Sequence, residues 1–574
     1  MSDVHPGPHR HRLPHGGRID RARPLRFTFN GAGYEGFAGD TLASALLANG
    51  LHLVGRSFKY HRPRGIVAAG AEEPNALVQL GRGARTEPNV RATQIELHDG
   101  LIAHSQNCWP SVEFDLGAVN DLLSPMLAAG FYYKTFMWPP SWWRGVYERA
   151  IRATAGLGRA PTEADPDRYE HRYAHCEVLI VGGGPAGLAA ALAAGRSGAR
   201  VILAEEQALL GGALLAEPED HPGVAWLEQA REELAALPDV RVLTRTTAFG
   251  YYDHNYLGLL ERVGDHLGGA APPHLPRQRL WKVRAREVVL ATGAIERPLV
   301  FAENDRPGIM LAGAVRNYLH RHAVLAGRRA VVFTNNDSAY RTALDLRAAG
   351  AEVSVVDLRQ RLEGALPARA RSAGISVLEG SAIVGTSGHR RVSSVQVRRV
   401  LDGGRVERAG DNLSCDLVCA SGGWSPTIHL QSQSRARPRY DPARGLFLPG
   451  EPIQAERSAG ACNGTFGLAA CLAEGARAGI AAAEAAGFTA KMPGLPGLAE
   501  PEEVPQRLLW QVPSGRPLRK SKQFVDLQND VTAADIALAL HEGYRSIEHV
   551  KRYTTTGMGT DQGKTSNVNA LGIV

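Results

Sequence analysis

The strongest chemical signal in the sequence is the glycine-rich loop Gly182, Gly183, Gly184, Pro185, Ala186, Gly187. An apolar strand-like run, residues 178–181, enters this G-x-G-x-x-G pattern, and an alanine-rich helix leaves it. That arrangement suits a dinucleotide pyrophosphate. Gly182 permits the tight turn, Gly184 lets the backbone approach the phosphates, and Gly187 lets the helix pack on the strand. The helix N-terminus adds unpaired N–H groups and the positive end of its dipole. The next strand, residues 200–204, ends at Glu205 and Glu206, where an acid would accept ribose hydroxyls. An acid there, with no arginine in its place, favours a free 2′-hydroxyl and so NAD or FAD over NADP.

Two further elements resemble those of flavoproteins with two dinucleotide-binding domains. Gly211 and Gly212 look like their second glycine pair, and VVLATG at 288–293 looks like the strand and turn that place Thr292 and Gly293 against the cofactor. A second strand–helix–strand unit, residues 329–357, carries Thr334, Asn336 and Ala339 where glycines would be needed. Side chains there hinder a pyrophosphate, so this unit reads as mainly structural. No cysteine pair follows Gly212, which argues against a disulfide-reductase mechanism. Neither H-E-x-x-H, a Walker loop nor G-x-S-x-G is present. No catalytic residue and no metal ligand is assigned.

These elements need a chain of several domains to position them, and 574 residues exceed a single core. Hydrophobic residues at 44% and charged residues at 21% suit a globular enzyme. The net charge of +7 owes much to an arm rich in Arg, His and Pro, expected to be disordered over residues 1–24. The arm lacks the interleaved aromatics of a nucleic-acid binder and the grouped ligands of a zinc site. Six scattered cysteines make no disulfide framework and suit a reducing compartment. No apolar run is long enough to span a membrane and no signal peptide is evident, so the expectation is a cytoplasmic protein. The expected division is a small α+β domain at 25–105, with a helix from residue 42 capped by Asp40 or Thr41. An aromatic-rich connector at 106–172 reads as a packing surface. The dinucleotide-binding domain is expected at 173–328 and 415–490, the degenerate second unit at 329–414, a linker at 491–519 and a C-terminal segment at 520–574.

Longer motifs carry a family resemblance that covers nearly the whole chain. GGRIDR at 16–21, GFAGDTLASAL at 36–46, RSFKYHRPRG at 56–65, TTAFGYYDH at 246–254, KQFVDLQND at 522–530, EHVKRYT at 548–554 and DQGK at 561–564 resemble the alpha subunits of heterotetrameric sarcosine oxidases. The resemblance implies an α/β fold: a Rossmann-type core with two dinucleotide-binding domains, preceded by a ferredoxin-like α+β domain. It also implies NAD contacts at Ala186, Glu205, Glu206 and Ala248, a closing contact at Gly464 and Thr465, and an FMN shared with a partner near Lys551, Arg552, Thr554, Gln562 and Lys564. Cationic side chains suit a flavin phosphate. The implied partners are beta, gamma and delta subunits, with the FAD that oxidises sarcosine on beta.

Two departures qualify the resemblance. Residues 56–80 contain no cysteine, which excludes an iron–sulfur cluster at the loop expected to hold one. The family also continues into a folate-binding, aminomethyltransferase-like domain beyond the equivalent of Val574, so the chain reads as a fragment, a split product or a subunit without folate coupling. The alternatives are a non-catalytic NAD-binding scaffold and an FAD-binding subunit of a proline or opine dehydrogenase.

Overall fold

In a computed structural model of the chain, residues 9–401, 404–499 and 505–574 are described. They form two compact units: Met1–Asp165, Glu296–Gly423 and Glu502–Val574 make the first, Pro166–Ile295 and Trp424–Pro501 the second.

The first unit begins with a five-stranded sheet in the order Ala32–Ala38, Asp20–Phe29, Leu101–Ser105, Leu77–Leu80, Glu87–Arg91. Alternation along Asp20–Phe29 sends Phe27 and Phe29 into the core, where the wholly buried helix Leu42–Ala48 covers them. Thr41 caps that helix in a reciprocal box with Ser44. Asp40 instead accepts the Ser44 hydroxyl at 2.7 Å and pairs with Arg12 at 2.6 Å. The arm expected to be disordered is therefore ordered over its described part. Arg12 is sequestered by Asp40, and His9 stacks on Phe37 at 4.9 Å. Residues 1–8 of the arm lie outside the described set.

The same core continues into a parallel sheet ordered Ile309–Leu311, Leu417–Ser421, Arg329–Thr334, Glu352–Asp357, Ser376–Leu378. This corrects the expected domain division. Residues 296–328 and 415–423 belong with the second Rossmann-like unit, because Leu417–Ser421 pairs with both Ile309–Leu311 and Arg329–Thr334. The expected linker also contributes to this unit, since Val512 is buried and its N–H bonds Val300 O at 2.8 Å. Val525, Val531, Ile536, Val550 and Ala570 of the C-terminal segment form a small core with Val300.

Buried charge ties these parts of the first unit together. Arg62 Nε donates to Asp305 at 2.7 Å, while its Nη groups reach Glu303 at 2.5 Å and Asp121 at 3.1 Å. Arg64, 1% exposed, pairs with both Asp305 and Asp530. Phe524 lies under both guanidiniums, with Arg64 4.7 Å from its ring centre. Burial alone would raise the Asp305 carboxyl, but Arg62 and Arg64 hold it well below the usual carboxylate range.

Downstream of the arginines, Glu73 organises the next loop. Its fully buried carboxylate accepts N–H bonds from Val67 and Ala68 at 2.9 and 2.7 Å, and from Asn75 and Ala76 at 2.8 and 3.0 Å. Burial nevertheless pushes this carboxyl up to about 7.

The second unit is built on a seven-stranded sheet. Val240–Leu243, Val201–Ala204, Tyr169–Val181 and Gln278–Leu290 run parallel. Tyr256–Arg262 and Thr246–Tyr252 continue the sheet antiparallel, and Glu456–Ser458 joins Gln278–Leu290. Helices Pro185–Gly195 and Leu468–Ala485 cover one face of this sheet.

Asp305→Asn should lower the stability of the chain by about 3–5 kcal/mol, as expected when one partner of a buried ion cluster is removed. The folded Asp305 carboxyl binds its proton more weakly than the unfolded one, whose ordinary value is 3.8. Its contribution is therefore complete above the unfolded value and lost as pH falls below it. Denaturant unfolding from pH 7 down to 3 should show a shallower acid loss in the variant, and an unaltered acid slope would remove Asp305 from this role.

Candidate functional site

In the second unit, strand Tyr169–Val181 delivers the chain into the glycine loop, and Pro185 occupies the first turn of helix Pro185–Gly195. Gly182 has φ +103°, and a Cβ there would lie 2.3 Å from Ala291 O. A Cβ on Gly187 would come 1.8 Å from Gly182 O. These two glycines are demanded by protein packing alone. Gly184 differs: its added Cβ would meet only the Gly212 Cα, at 3.9 Å. Gly212, at φ +51°, sits against Gly184, with Gly211 N–H bonded to Gly183 O at 2.8 Å. The two glycine pairs therefore converge on one open cradle at a helix N-terminus, a shape that fits a pyrophosphate.

Glu205 ends strand Val201–Ala204 and is 7% exposed. One carboxylate oxygen accepts Gly183 N–H at 2.7 Å and the other Gln207 N–H at 2.9 Å. The acid thus clamps the glycine loop. Glu206 is half-buried, and its carbonyl accepts Arg262 Nη2 at 2.8 Å. Thr246 N–H bonds Glu205 O at 2.7 Å, which starts strand Thr246–Tyr252 beside the acid. Ala248 sits where that strand's register shifts, between Ala248 and Gly250.

Thr292 Oγ1 donates to Thr427 O at 2.7 Å, and Gly293, at φ +73°, accepts Thr427 N–H at 3.0 Å. Ala291 between them and the strand bonds Val181 O at 2.8 Å, directly beside Gly182. Gly464 takes φ +84°, its carbonyl bonded by Arg444, while Thr465 N–H donates to Gly460 O at 3.2 Å.

Several contributors escaped the sequence reading. Gly475 and Gly479 face helix Pro185–Gly195, and Cβ atoms there would lie 2.1 and 2.3 Å from Ala186 O and Ala190 O. Glu474 fixes the turn before its own helix by accepting Gly460 N–H at 2.9 Å. The signal was present as glycines four apart in an alanine-rich helix, the spacing that lets two helices approach closely.

In the first unit, the second Rossmann-like loop is filled by its own side chains. Thr334 Oγ1 accepts Asn336 N–H at 3.1 Å, and Asn336 Nδ2 donates to Ser421 Oγ at 3.1 Å. Asp357, fully buried, accepts from Tyr340 Oη at 2.9 Å and from Arg359 at 2.8 Å, and Arg359 also pairs with Asp337. No cradle comparable to Gly184 remains among these described residues.

The C-terminal candidates fall on helix Ile547–Thr554 and the turn after it. Lys551 and Lys564 are half-buried, and Arg552 and Gln562 are exposed. Thr554 departs from them: it is buried, and its hydroxyl bonds Val550 O and Thr556 Oγ1, each at 2.7 Å. Gln562 Nε2 and Lys564 Nζ bond nearby carbonyls, Gly559 O at 3.0 Å and Asp561 O at 3.3 Å. The turn is anchored by Asp526, which accepts Gly557 N–H at 2.7 Å.

Comparison with known proteins gives three matching families: a 2Fe-2S iron-sulfur cluster binding domain at 22–108, pyridine nucleotide-disulphide oxidoreductase at 176–440, and the sarcosine oxidase A3 domain at 520–574. The chain is 50% identical over 98% of its length to sarcosine oxidase subunit alpha of Rhizobium meliloti (strain 1021), of which it covers 56%. It is 39% identical over 97% of its length to the Corynebacterium sp. (strain U-96) subunit alpha, of which it covers 54%. The chain thus spans about half the length of the curated relatives it matches. The crystal structure of L-proline dehydrogenase from P. horikoshii superposes with a TM-score of 0.64 at 19% identity, covering 97% of this chain and 93% of that one, and so shares the fold. The iron–sulfur match does not extend to ligands. Residues 22–108 contain a single cysteine, Cys108, whose thiol burial pushes up to about 11, whereas such a cluster takes four.

Gly184→Ala should fold with an unchanged unfolding midpoint yet weaken dinucleotide binding tenfold or more, about 1.4 kcal/mol. Gly187→Ala should instead destabilise the fold. Calorimetric titration beside thermal unfolding separates the two, and full affinity in Gly184→Ala would move the pyrophosphate away from this cradle.

Proposed function

We propose, because the chain belongs to the family of sarcosine oxidase alpha subunits, that it is the dinucleotide-holding subunit of an amine-oxidising complex. The reaction of that complex is oxidative demethylation of sarcosine to glycine. Oxygen takes the electrons as hydrogen peroxide, and the methyl carbon leaves as formaldehyde or on tetrahydrofolate. Beta, gamma and delta subunits complete the assembly in the cytoplasm, and amine oxidation takes place on the partner that carries FAD.

The open cradle at Gly184 and Gly212 carries this reading, with Glu205 one strand away. NAD is the proposed occupant, and when bound it supplies a hydride acceptor. The chain's own residues hold it. The N-terminus of helix Pro185–Gly195 faces the pyrophosphate, Glu205 and Glu206 take the adenosine ribose, and strand Thr246–Tyr252 runs beside the base at Ala248. Lys551, Arg552 and Lys564 offer cations to the phosphate of an FMN shared with a partner. The first unit offers no second dinucleotide position among the residues described, which favours a subunit that holds one nucleotide over a self-contained reductase.

The purified chain should be colourless and release NAD on denaturation, as read by absorbance and mass analysis. A yellow protein releasing FAD would replace NAD with FAD and shift the reading toward a proline- or opine-type dehydrogenase subunit. NAD that no methylated amine reduces, even in the assembled complex, would leave a binding scaffold. In the assembled complex, Lys551→Ala with Arg552→Ala should raise the FMN dissociation constant about tenfold, the loss of roughly 1.4 kcal/mol of phosphate contact.

A further inference from the structure

Helices Pro185–Gly195 and Leu468–Ala485 of the second unit run in the same direction, because Gly475 meets Ala186 and Gly479 meets Ala190. Ala186 lies in the first turn of its helix, whereas residues 468–474 all precede Gly475 in the other. At about 1.5 Å of rise per residue, the second helix projects about 10 Å past the start of the first. Its opening turns therefore stand beyond the glycine loop, at the same edge of the sheet as the cradle at Gly184.

The overhang lies on one particular side of that loop. Strand Tyr169–Val181, which feeds the loop, has Val201–Ala204 and Glu205 on one side and Gln278–Leu290 on the other. The turn into the overhanging helix belongs to the Leu290 side. Ala459 N–H donates to Leu290 O at 2.9 Å, and Cys462 Sγ lies 3.1 Å from the same oxygen. On the proposed reading the pyrophosphate sits at Gly184 and the adenosine ribose at Glu205. The other half of the dinucleotide then runs toward Leu290 and this turn.

The turn is pinned at almost every residue. Glu474 accepts Gly460 N–H at 2.9 Å and Asn463 Nδ2 at 2.6 Å, Arg444 donates to Gly464 O, and Cys471 Sγ donates to Thr465 O at 2.9 Å. Phe466 follows, and its ring is 36% exposed. The Arg444 guanidinium lies 5.4 Å from the centre of that ring, a cation–π contact that fixes where the phenyl stands. A flat ring held in place yet open to solvent is a surface on which another ring can stack.

We propose that Phe466 stacks on the nicotinamide ring of the dinucleotide, so that ring contact holds the far half while the cradle at Gly184 holds the pyrophosphate. This rests on the reading of the cradle as an NAD site.

The test compares NAD with adenosine diphosphate ribose, which keeps both phosphates and both riboses but lacks nicotinamide. Calorimetric titration of the whole chain, freed of bound nucleotide, reads both affinities in wild type, Phe466→Ala, Phe466→Leu and Phe466→Tyr, with thermal unfolding beside it. Phe466→Leu keeps an apolar side chain in the turn, so it decides the outcome where alanine is not tolerated. The alanine and leucine variants should bind NAD about tenfold more weakly and adenosine diphosphate ribose within about twofold of wild type. Phe466→Tyr should keep the wild-type affinity for both. An equal loss for the two ligands makes Phe466 a support of the turn and overturns the proposal, as does unchanged NAD affinity in the leucine variant. Either result leaves the NAD reading standing. A wild-type chain that binds neither ligand, or that holds FAD, overturns the NAD reading and this proposal with it.

Discussion

Arg64 is 1% exposed, and it carries a full positive charge between Asp305 and Asp530. Removing such ions from water costs several kcal/mol each, which only near-ideal pairing offsets. The geometry meets that condition by drawing on three distant stretches of sequence at once. The basic run at 56–65 comes from the first sheet's domain, Glu303 and Asp305 lead into the parallel sheet, and Asp530 belongs to the C-terminal segment. None of the three can settle without the other two. The first unit is therefore a single body although its chain is interrupted by the whole of the second unit. The same basic run and the Glu73 loop lie within the stretch that matches a 2Fe-2S iron-sulfur cluster binding domain, which here has one cysteine, Cys108. Here the Glu73 carboxyl gathers four N–H groups and the arginines reach outward to acids, so polar pairing orders this stretch.

The second unit rests on the opposite device, the absence of side chains. Gly182, Gly187, Gly475 and Gly479 remove Cβ atoms at points where backbone meets backbone, so the glycine loop, its helix and helix Leu468–Ala485 close into one rigid seam. Gly184 is relieved of its Cβ with nothing of the protein pressing against it. The contrast separates glycines that build the fold from one beside which space stays open. Glu205 adds a side-chain clamp to the same loop by accepting Gly183 N–H.

What was legible in the sequence was local. The loop, its helix and the acid at 205 lie within one short strand–helix–strand unit, where spacing alone fixes geometry. The poverty of the second loop was likewise visible in Thr334, Asn336 and Ala339. The rest depended on pairings between residues far apart in the chain. Nothing near Arg12 announces that Asp40 and the His322 carbonyl will receive it, so an arm rich in arginine and histidine read as disordered. The strand Leu417–Ser421 itself lies in the stretch 415–490 that reads as part of the dinucleotide domain, yet its partners are Arg329–Thr334 and Ile309–Leu311, which moved the domain boundary. Thr554 looked like its polar neighbours on the helix, but helical phase turns its hydroxyl inward. The four-residue spacing of Gly475 and Gly479 marks a close helix–helix contact, but not which helix would face it.

The filled loop of the second Rossmann-like unit bears on how such a chain can change over evolutionary time. Thr334, Asn336 and Ser421 bond one another, and Asp357 holds Tyr340 and Arg359, with Arg359 also paired to Asp337; all seven are buried. A single replacement toward glycine there strips a partner from a buried polar group, at about 1–3 kcal/mol, well before any phosphate could enter. Each such step lowers stability without yet conferring binding, and only several together would reopen a pocket. These contacts therefore work as a ratchet: substitutions that keep the loop as scaffold are tolerated one at a time, whereas opening it to a nucleotide is not.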